Sequence, residues 1–118
     1  MTHQASLVLR LRAWLQSLPD NAVPTTYRDA AAAMQLSPPG TIRKVTEALE
    51  IMMREDIAAE RPMMAALVIS RRGDLPGPGF FELAVALGRF PEDPALYRMA
   101  YREELDHALS SRNLYVPS

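Results

Sequence analysis

The 118-residue chain has the size of one domain and carries thirteen basic and fourteen acidic residues, for a net charge of −1. Hydrophobic residues make up 48% of it and charged residues 23%, as in ordinary globular proteins. Cysteine is absent, which excludes disulfides, thiolate metal sites and a cysteine nucleophile. No apolar run approaches a membrane span, and arginines within the N-terminal apolar run argue against a signal peptide. We therefore expect one domain over residues 1–118, in the cytoplasm, without membrane contact.

The first predicted helix covers residues 5–18, where apolar side chains recur at spacings of three and four. Two prolines in the segment that follows end it. A second helix, about residues 26–34, begins at Thr26, which forms a loose capping box with Asp29. This helix contains four successive alanines, and such small side chains allow another helix to approach closely.

The connection QLSPPG, residues 35–40, ends the second helix because its two prolines prevent helix continuation. A third helix starts at residue 40 or 41, and Pro62 ends it. Its predicted buried face repeats at spacings of three and four over four turns: Ile42, Val45, Leu49, Met52 or Met53, and Ile57. Arg43 and Lys44 lie off that face, so we expect them to be exposed.

The segment MMAALVIS, residues 63–70, is short and uniformly apolar and ends in β-forming residues, so we predict a buried strand there. A charged turn with Arg71 and Arg72 and an irregular loop, LPGPG, follow it. Helix returns in GFFELAVALGRF, and a last helix starts at Asp93-Pro94 and runs to about Leu109, before the tail NLYVPS. One side of the last helix carries Tyr97, Tyr101, Leu105 and Ala108.

The predicted elements give a fold that is mainly α with a small β element. The order helix, helix, turn, longer helix, strand and turn is typical of a winged helix-turn-helix domain. Two adjacent basic pairs, Arg43-Lys44 and Arg71-Arg72, fall where such a domain faces DNA, on the second helix and on the wing. Because arginine forks onto guanine or phosphate, these residues are candidate DNA contacts.

Two stretches, TTYRDAAAAMQLSPPGTIRKVTEAL and RPMMAALVISRRGDLPGPGFF, resemble the DNA-binding domain of the O6-alkylguanine-DNA alkyltransferase family and its alkyltransferase-like relatives. The resemblance covers roughly residues 25–80, about half of the chain. It implies that Tyr27 matches the tyrosine that helps to rotate the target nucleotide, and that Arg43 matches the arginine that takes the place of the extruded base. The family's reactive cysteine would fall near Ala66 and its histidine near Leu67, so alkyl transfer is not expected.

A departure from that family is the stretch EIMMREDIAAE, which lengthens the matching second helix by one to two turns. The segment PMMAALVISRRGDLPGPGF also resembles small uncharacterised bacterial proteins with PLLSALVVN…GLPGxGF-type segments. That resemblance implies the same fold and no particular activity.

Each candidate DNA contact has an alternative structural interpretation. Arg43 can pair with Glu47, four residues on, along a solvated helix face. Tyr27 can be a half-buried ring at a helix start, and Arg71 and Arg72 can form a charged turn tip. The sequence leaves both interpretations open.

Enzymatic chemistry finds little support in the sequence. Glu104-x-x-His107 has the spacing of a carboxylate–histidine metal pair, but a helical di-iron site needs a second such motif and further carboxylates. No Ser-His-Asp grouping and no glycine-rich phosphate loop is evident. We therefore expect no catalytic residue, no metal site and no cofactor.

Two functional hypotheses follow. The first is a non-catalytic winged-helix protein that binds duplex DNA through Tyr27, Thr41, Arg43, Lys44, Arg71 and Arg72. The second is a module that binds another protein or itself, which suits the near-neutral charge better. Its apolar surface would come from Met52, Met53, Met63 and Met64, or from Tyr97 and Tyr101. One continuous positive patch would favour DNA over a protein partner.

Overall fold

The structure is a computed structural model that describes the backbone of residues 3–114 and the side chains of residues 5–112. It is mainly helical, with a small two-stranded sheet. In chain order the elements are α1 (His3–Ser17), β1 (Thr25–Thr26), α2 (Tyr27–Ala33), α3 (Thr41–Ala58), β2 (Val68–Ile69), α4 (Pro78–Ala86) and α5 (Tyr97–Leu114). Short 3₁₀ turns cover Asp20–Ala22, Met64–Leu67 and Pro94–Leu96. No helix of the described residues is long and apolar enough to cross a bilayer.

Helix α1 confirms the predicted helix over residues 5–18 to within a residue or two at its ends. Leu7, Leu11 and Leu15 face the interior, where they join one continuous cluster of buried apolar residues. Arg10 donates a hydrogen bond to the carbonyl of Met34, just after α2, and Arg12 donates one to Asp56 of α3. Helix α1 thereby packs across α3 and the buried segment that follows it.

Helices α2 and α3 form the corner predicted from the alanine run and the proline pair. Thr26 caps α2, since its Oγ1 accepts a hydrogen bond from the backbone N–H of Asp29 at 3.1 Å. Ala30 and Ala31 are buried, and α2 packs directly against α3. Small residues at this contact are what permits the close approach.

The buried face of α3 matches the predicted one from Val45 onward, but the prediction for Ile42 is wrong. Val45 and Leu49 are buried, whereas Ile42 is 45% exposed. The connection at residues 37–40 is itself exposed, and a Cβ at Gly40 would meet no atom within 4 Å, so the chain before α3 leaves Ile42 largely uncovered.

Helix α3 ends at Ala58, four residues before the proline that was expected to end it. Glu60 adopts a left-handed conformation with φ of 58°. The backbone N–H of Arg61 then donates to the carbonyl of Asp56 at 2.8 Å, and that of Glu60 to Ile57 at 3.0 Å. These bonds form a Schellman cap, which stops the helix before Pro62 can act.

The predicted strand over residues 63–70 is mostly wrong. Residues 64–67 form a 3₁₀ turn, and of the predicted strand only Val68 and Ile69 form a strand, which pairs in parallel with Thr25 and Thr26. The segment is buried between α1, α3 and α5, so no neighbouring strand lies alongside its first half. A buried strand and a buried 3₁₀ turn have the same apolar composition, which is why composition could not distinguish them.

The sheet differs from a wing, which is an antiparallel hairpin. Among the described residues β2 pairs only with β1, and the chain then reverses over residues 70–75. We call residues 70–75 the arginine turn. Its ends are joined because the N–H of Ser70 donates to the carbonyl of Leu75 at 2.8 Å.

Helices α4 and α5 complete the core. Phe80 of α4 packs edge-on against Phe81 and against Tyr101 of α5. Phe81 stacks on Tyr97 of α5. Helix α4 is shorter than predicted, because the chain turns at Gly88 with φ of 81°. Helix α5 follows a short 3₁₀ turn capped by an aspartate and reaches Leu114, five residues beyond the expected end. The remaining tail residues, 115–118, lie outside the described residues.

Candidate nucleic-acid interface

The first turn of α3, residues 41–44, stands clear of the core, and we call it the α3 tip. Thr41 is half-buried, whereas Ile42, Arg43 and Lys44 are exposed, the Arg43 side chain to 85%. Gly40 precedes the tip in a left-handed conformation with φ of 74°, which favours glycine because a Cβ there would be strained. The tip therefore presents one apolar and two cationic side chains to solvent.

The cations of the α3 tip have weak partners. Arg43 Nε donates to Glu47 Oε1 at 3.1 Å, which is the four-residue pair expected as the alternative interpretation of Arg43. Lys44 Nζ donates to the carbonyl of Ser37 at 3.2 Å. An exposed ion pair of this kind contributes about 0–1 kcal/mol, so it does little to hold the guanidinium.

The arginine turn presents the second basic pair. Arg71 and Arg72 are both exposed, and neither side chain forms a hydrogen bond or ion pair within residues 5–112. Asp74 in the same turn has a left-handed backbone with φ of 58°. The pair therefore occupies a charged turn tip, as its alternative interpretation predicted.

The two basic pairs are attached to opposite ends of α2. Arg71 lies two residues after Ile69, which pairs across the sheet with Thr26, the residue just before the start of α2. Lys44 bonds Ser37, which lies beyond the last residue of α2. Arg28 is a further exposed cation on α2. Acidic side chains are interspersed on the same elements, namely Asp29, Glu47, Glu50 and Asp74, so the surface carries mixed charge.

Tyr27 lies between these elements and is half-buried. Its hydroxyl oxygen accepts a hydrogen bond from the backbone N–H of Gly77 at 2.8 Å. Burial raises the pKa of the Tyr27 phenol above its ordinary value, and the Gly77 bond partly opposes that rise. The ring lines a small recess with Thr46 and Glu50 of α3. Tyr27 thus ties the loop after the arginine turn to the α2–α3 corner, which matches its predicted structural alternative.

Residues singled out for other roles are buried in the core. Ala66 and Leu67, at the positions where the resemblance places the reactive cysteine and histidine, have no exposed surface. The methionines expected to form an apolar interaction surface are also buried, and the expectation for them is wrong: Met52, Met53, Met63 and Met64. Met52 and Met53 face inward because they continue the helical spacing of Val45 and Leu49. Met63 and Met64 lie in the buried segment of residues 63–68, which we call the central segment.

Tyr101, also expected at an interaction surface, is buried, while Tyr97 is half-buried and stacks on Phe81. The Tyr101 hydroxyl donates to the carbonyl of Ala66 at 2.8 Å. Burial is the main cause that raises the pKa of the Tyr101 phenol, and the nearby Tyr27 and Asp74 raise it further. Its role in the described structure is to hold the central segment against α5.

A network of buried charges was missed by the sequence analysis. Asp56 is completely buried, and its Oδ1 accepts hydrogen bonds from Arg12 and Arg61 at 2.8–3.2 Å. Its Oδ2 accepts the backbone N–H of Met64 at 3.0 Å. Asp56 therefore supplies the hydrogen-bond acceptor for Met64 that a neighbouring strand would otherwise supply.

Glu104 of α5 accepts a hydrogen bond from the backbone of Met63, the residue before Met64. Its Oε2 accepts the backbone N–H of Met63 at 2.7 Å and Nη1 of Arg89 at 2.8 Å. Arg89 also donates to the carbonyl of Arg61 at 3.1 Å. A sequence signal for both acids exists: Asp56 continues the buried spacing of Leu49 and Met52, and Glu104 falls between buried positions of α5.

The Glu104-x-x-His107 motif is divided by the fold. Glu104 is buried and bonded to Arg89, whereas His107 is exposed. Among the described residues no group of three or more histidine, aspartate or glutamate side chains is placed to hold a metal ion.

Comparison with known proteins returns no relative: no protein-family model, no curated protein sequence and no solved structure matches the chain.

Proposed function

We propose that the chain is a non-catalytic DNA-binding protein related to the winged-helix type, in which the arginine turn takes the place of the antiparallel wing; it would place the α3 tip on duplex DNA and the arginine turn on the flanking backbone. The observation that carries the proposal is the exposure of the α3 tip. In helix-turn-helix proteins, the N-terminal residues of the second helix contact base edges while the first helix crosses the backbone. An isoleucine left 45% exposed beside an arginine and a lysine suits that position.

The two kinds of side chain at the tip would have different roles. Arg43 and Lys44 would bind phosphates or guanine, and Ile42 would contact a thymine methyl group. Arg71 and Arg72 would bind phosphates from the arginine turn. Thr41 begins the helix beside them, and Tyr27 would fix the angle between the two elements through its bond to Gly77.

The mixed charge of the surface sets the affinity that we expect for duplex DNA. With a net charge of −1 and glutamates at positions 47 and 50, non-specific affinity for DNA is expected to be weak, in the range of about 100 μM. Four phosphate contacts give a slope of about −3 to −4 in log K against log salt concentration.

The test is a fluorescence-anisotropy titration with a generic duplex at several salt concentrations. Arg43→Ala should flatten the salt slope by about one unit. Arg54→Ala is the matched control, because Arg54 is exposed on the same helix but three turns from the tip. Absence of binding at low salt, or equal slopes for the two variants, would remove the proposal.

A second candidate function is protein binding or self-association at the start of α5. Leu96 and Met99 are exposed, Met99 to 62%, and their spacing of three places them on one face. Sedimentation velocity of Met99→Glu against the unchanged chain tests self-association. A shift from dimer to monomer would support it, and an unchanged monomer would exclude it.

A further inference from the structure

An open cleft lies between α5 and the arginine turn, and we call it the α5 cleft. Its volume is about 500 Å³, within the range of about 300–1,000 Å³ that pockets for small ligands have. One wall is α5, and the facing wall is formed by β2 and the arginine turn. The hydrogen bond from Ser70 to Leu75 closes that turn and holds the facing wall in place. The α5 cleft is therefore large enough for a small organic molecule.

Part of the lining of the α5 cleft is apolar. Ile69, Leu75 and Leu105 line it from both walls, and each is half-buried, so each leaves some apolar surface in contact with water. Tyr101 also lines the cleft, and burial raises the pKa of its phenol, so the ring stays uncharged at neutral pH. A ligand that covers these side chains removes apolar surface from water, which favours binding.

The rest of the lining is charged and of both signs. Arg98, Arg102 and Asp106 lie in one row along α5, because they are four residues apart. Asp74 faces them from the arginine turn, and it lies near enough to Tyr101 to raise the pKa of that phenol. All four charged side chains are exposed, and none forms a hydrogen bond or ion pair with another described side chain. Two cations and two anions are thus accessible to a ligand in one cleft.

We propose that the α5 cleft binds a small zwitterion with an apolar body, which is the chemistry of a free α-amino acid with a large apolar side chain. The balance of charge in the lining carries this choice. A purely anionic ligand meets the repulsion of two carboxylates, and a purely cationic ligand meets the repulsion of two guanidinium groups. A zwitterion gains from both signs, and its apolar body covers the apolar part of the lining.

Each part of the ligand has its own contacts. Arg98 and Arg102 bind the carboxylate, because the planar guanidinium matches the two oxygens of that group. Asp74 and Asp106 accept hydrogen bonds from the ammonium group, which carries three donors. These residues are distinct from the exposed basic pair of the arginine turn, which does not line the cleft. The site therefore does not depend on the proposed binding of DNA.

Backbone ¹H–¹⁵N NMR of the full chain, titrated with L-phenylalanine, tests the proposal. We expect saturable shifts of amide resonances in residues 69–75 and 98–106. Three analogues each lack one feature of the ligand: 3-phenylpropanoate lacks the ammonium group, phenethylamine lacks the carboxylate, and glycine lacks the apolar body. Each should bind at least several-fold more weakly than L-phenylalanine. The absence of a saturable shift with L-phenylalanine, or equal binding of any one analogue, would overturn the proposal.

Two pairs of variants localise the binding. Arg102→Gln and Asp106→Asn each remove one charge from the cleft, and both should weaken the binding of L-phenylalanine at least several-fold. Arg54→Gln on α3 and Glu103→Gln on α5 make the same charge changes at exposed positions outside the cleft and should leave binding unchanged. All four positions are exposed, so the variants should fold. Equal affinity in a variant and its control would show that the cleft residues do not hold the ligand, contrary to the proposal.

Discussion

The two ends of α3 use the same residue types in opposite ways. At the first turn, Arg43 and Lys44 project into solvent with only weak partners. Near the last turn, Asp56 is completely buried and binds two arginines and a backbone N–H. Charge at the C-terminal end is already committed to holding the fold, whereas charge at the N-terminal end is available. Binding of a large polyanion is therefore best sought at the α3 tip.

The largest expected effect is at the buried end. Asp56→Ala leaves Arg61, Arg12 and the Met64 N–H without their shared acceptor, and should lower the free energy of unfolding by about 3–5 kcal/mol. Glu55→Ala is the control, since Glu55 is a half-exposed neighbour with one ion pair, and should cost about 1 kcal/mol or less. Urea denaturation measures both. Equal losses would mean that burial does not separate the two carboxylates.

The second prediction compares two apolar side chains of the same helix. Leu49→Ala should lower the free energy of unfolding by about 2–5 kcal/mol because it opens a cavity in the core. Ile42→Ala should change it by about 0.5 kcal/mol or less, as expected for an exposed position. Chemical denaturation of the pair tests how far the core extends along α3. A large loss at Ile42 would contradict the exposed α3 tip.

A smaller effect is expected at the cap that ends α3. Glu60 holds a left-handed conformation that disfavours any residue with a Cβ, so Glu60→Gly should stabilise the fold by about 0.4–1 kcal/mol. Gly88→Ala, at the equivalent position of the α4 cap, should destabilise it by about 1–2 kcal/mol. Thermal unfolding of the two variants should show shifts of opposite sign. Shifts of the same sign would contradict the left-handed conformation of one of the two cap residues.

The smallest effect concerns the acidic neighbour of the α3 tip. Glu47→Gln removes the partner of Arg43 and a negative charge beside the proposed interface, and should raise affinity for duplex DNA about 1.5- to 5-fold. Glu82→Gln on α4 makes the same charge change at an exposed position away from the tip and should have less effect. Anisotropy titrations at one low salt concentration compare them. An equal gain in both would show that overall charge, and not the tip, governs binding.

Much of the helical framework was predictable because helix periodicity and caps are local in sequence. The spacing of Leu7, Leu11 and Leu15 gave α1, and Thr26 followed by Asp29 gave the start of α2. Ile42 was misplaced for a related reason. Periodicity reports which side of a helix is apolar, but not whether another element reaches that turn.

The buried ion pairs could not be predicted in the same way, since their partners are far apart in sequence. Arg12 meets Asp56 across 44 positions, and Arg112 meets Asp20 across 92. Which of twelve arginines would be buried depends on how α1, α3 and α5 pack, and no local pattern contains that information. The central segment was misjudged for the same reason, because its hydrogen-bond acceptors are two distant carboxylates.

Those two carboxylates also set how the interior of the molecule exchanges with solvent. The amide hydrogens of Met63 and Met64 are donated to Glu104 on α5 and to Asp56 on α3, both out of reach of water. Because both acceptors are buried, each amide is released only when the core around its acceptor opens. In hydrogen–deuterium exchange the pair should therefore open together only in the global unfolding event, which makes residues 63 and 64 a reporter of the slowest cooperative unit of the fold.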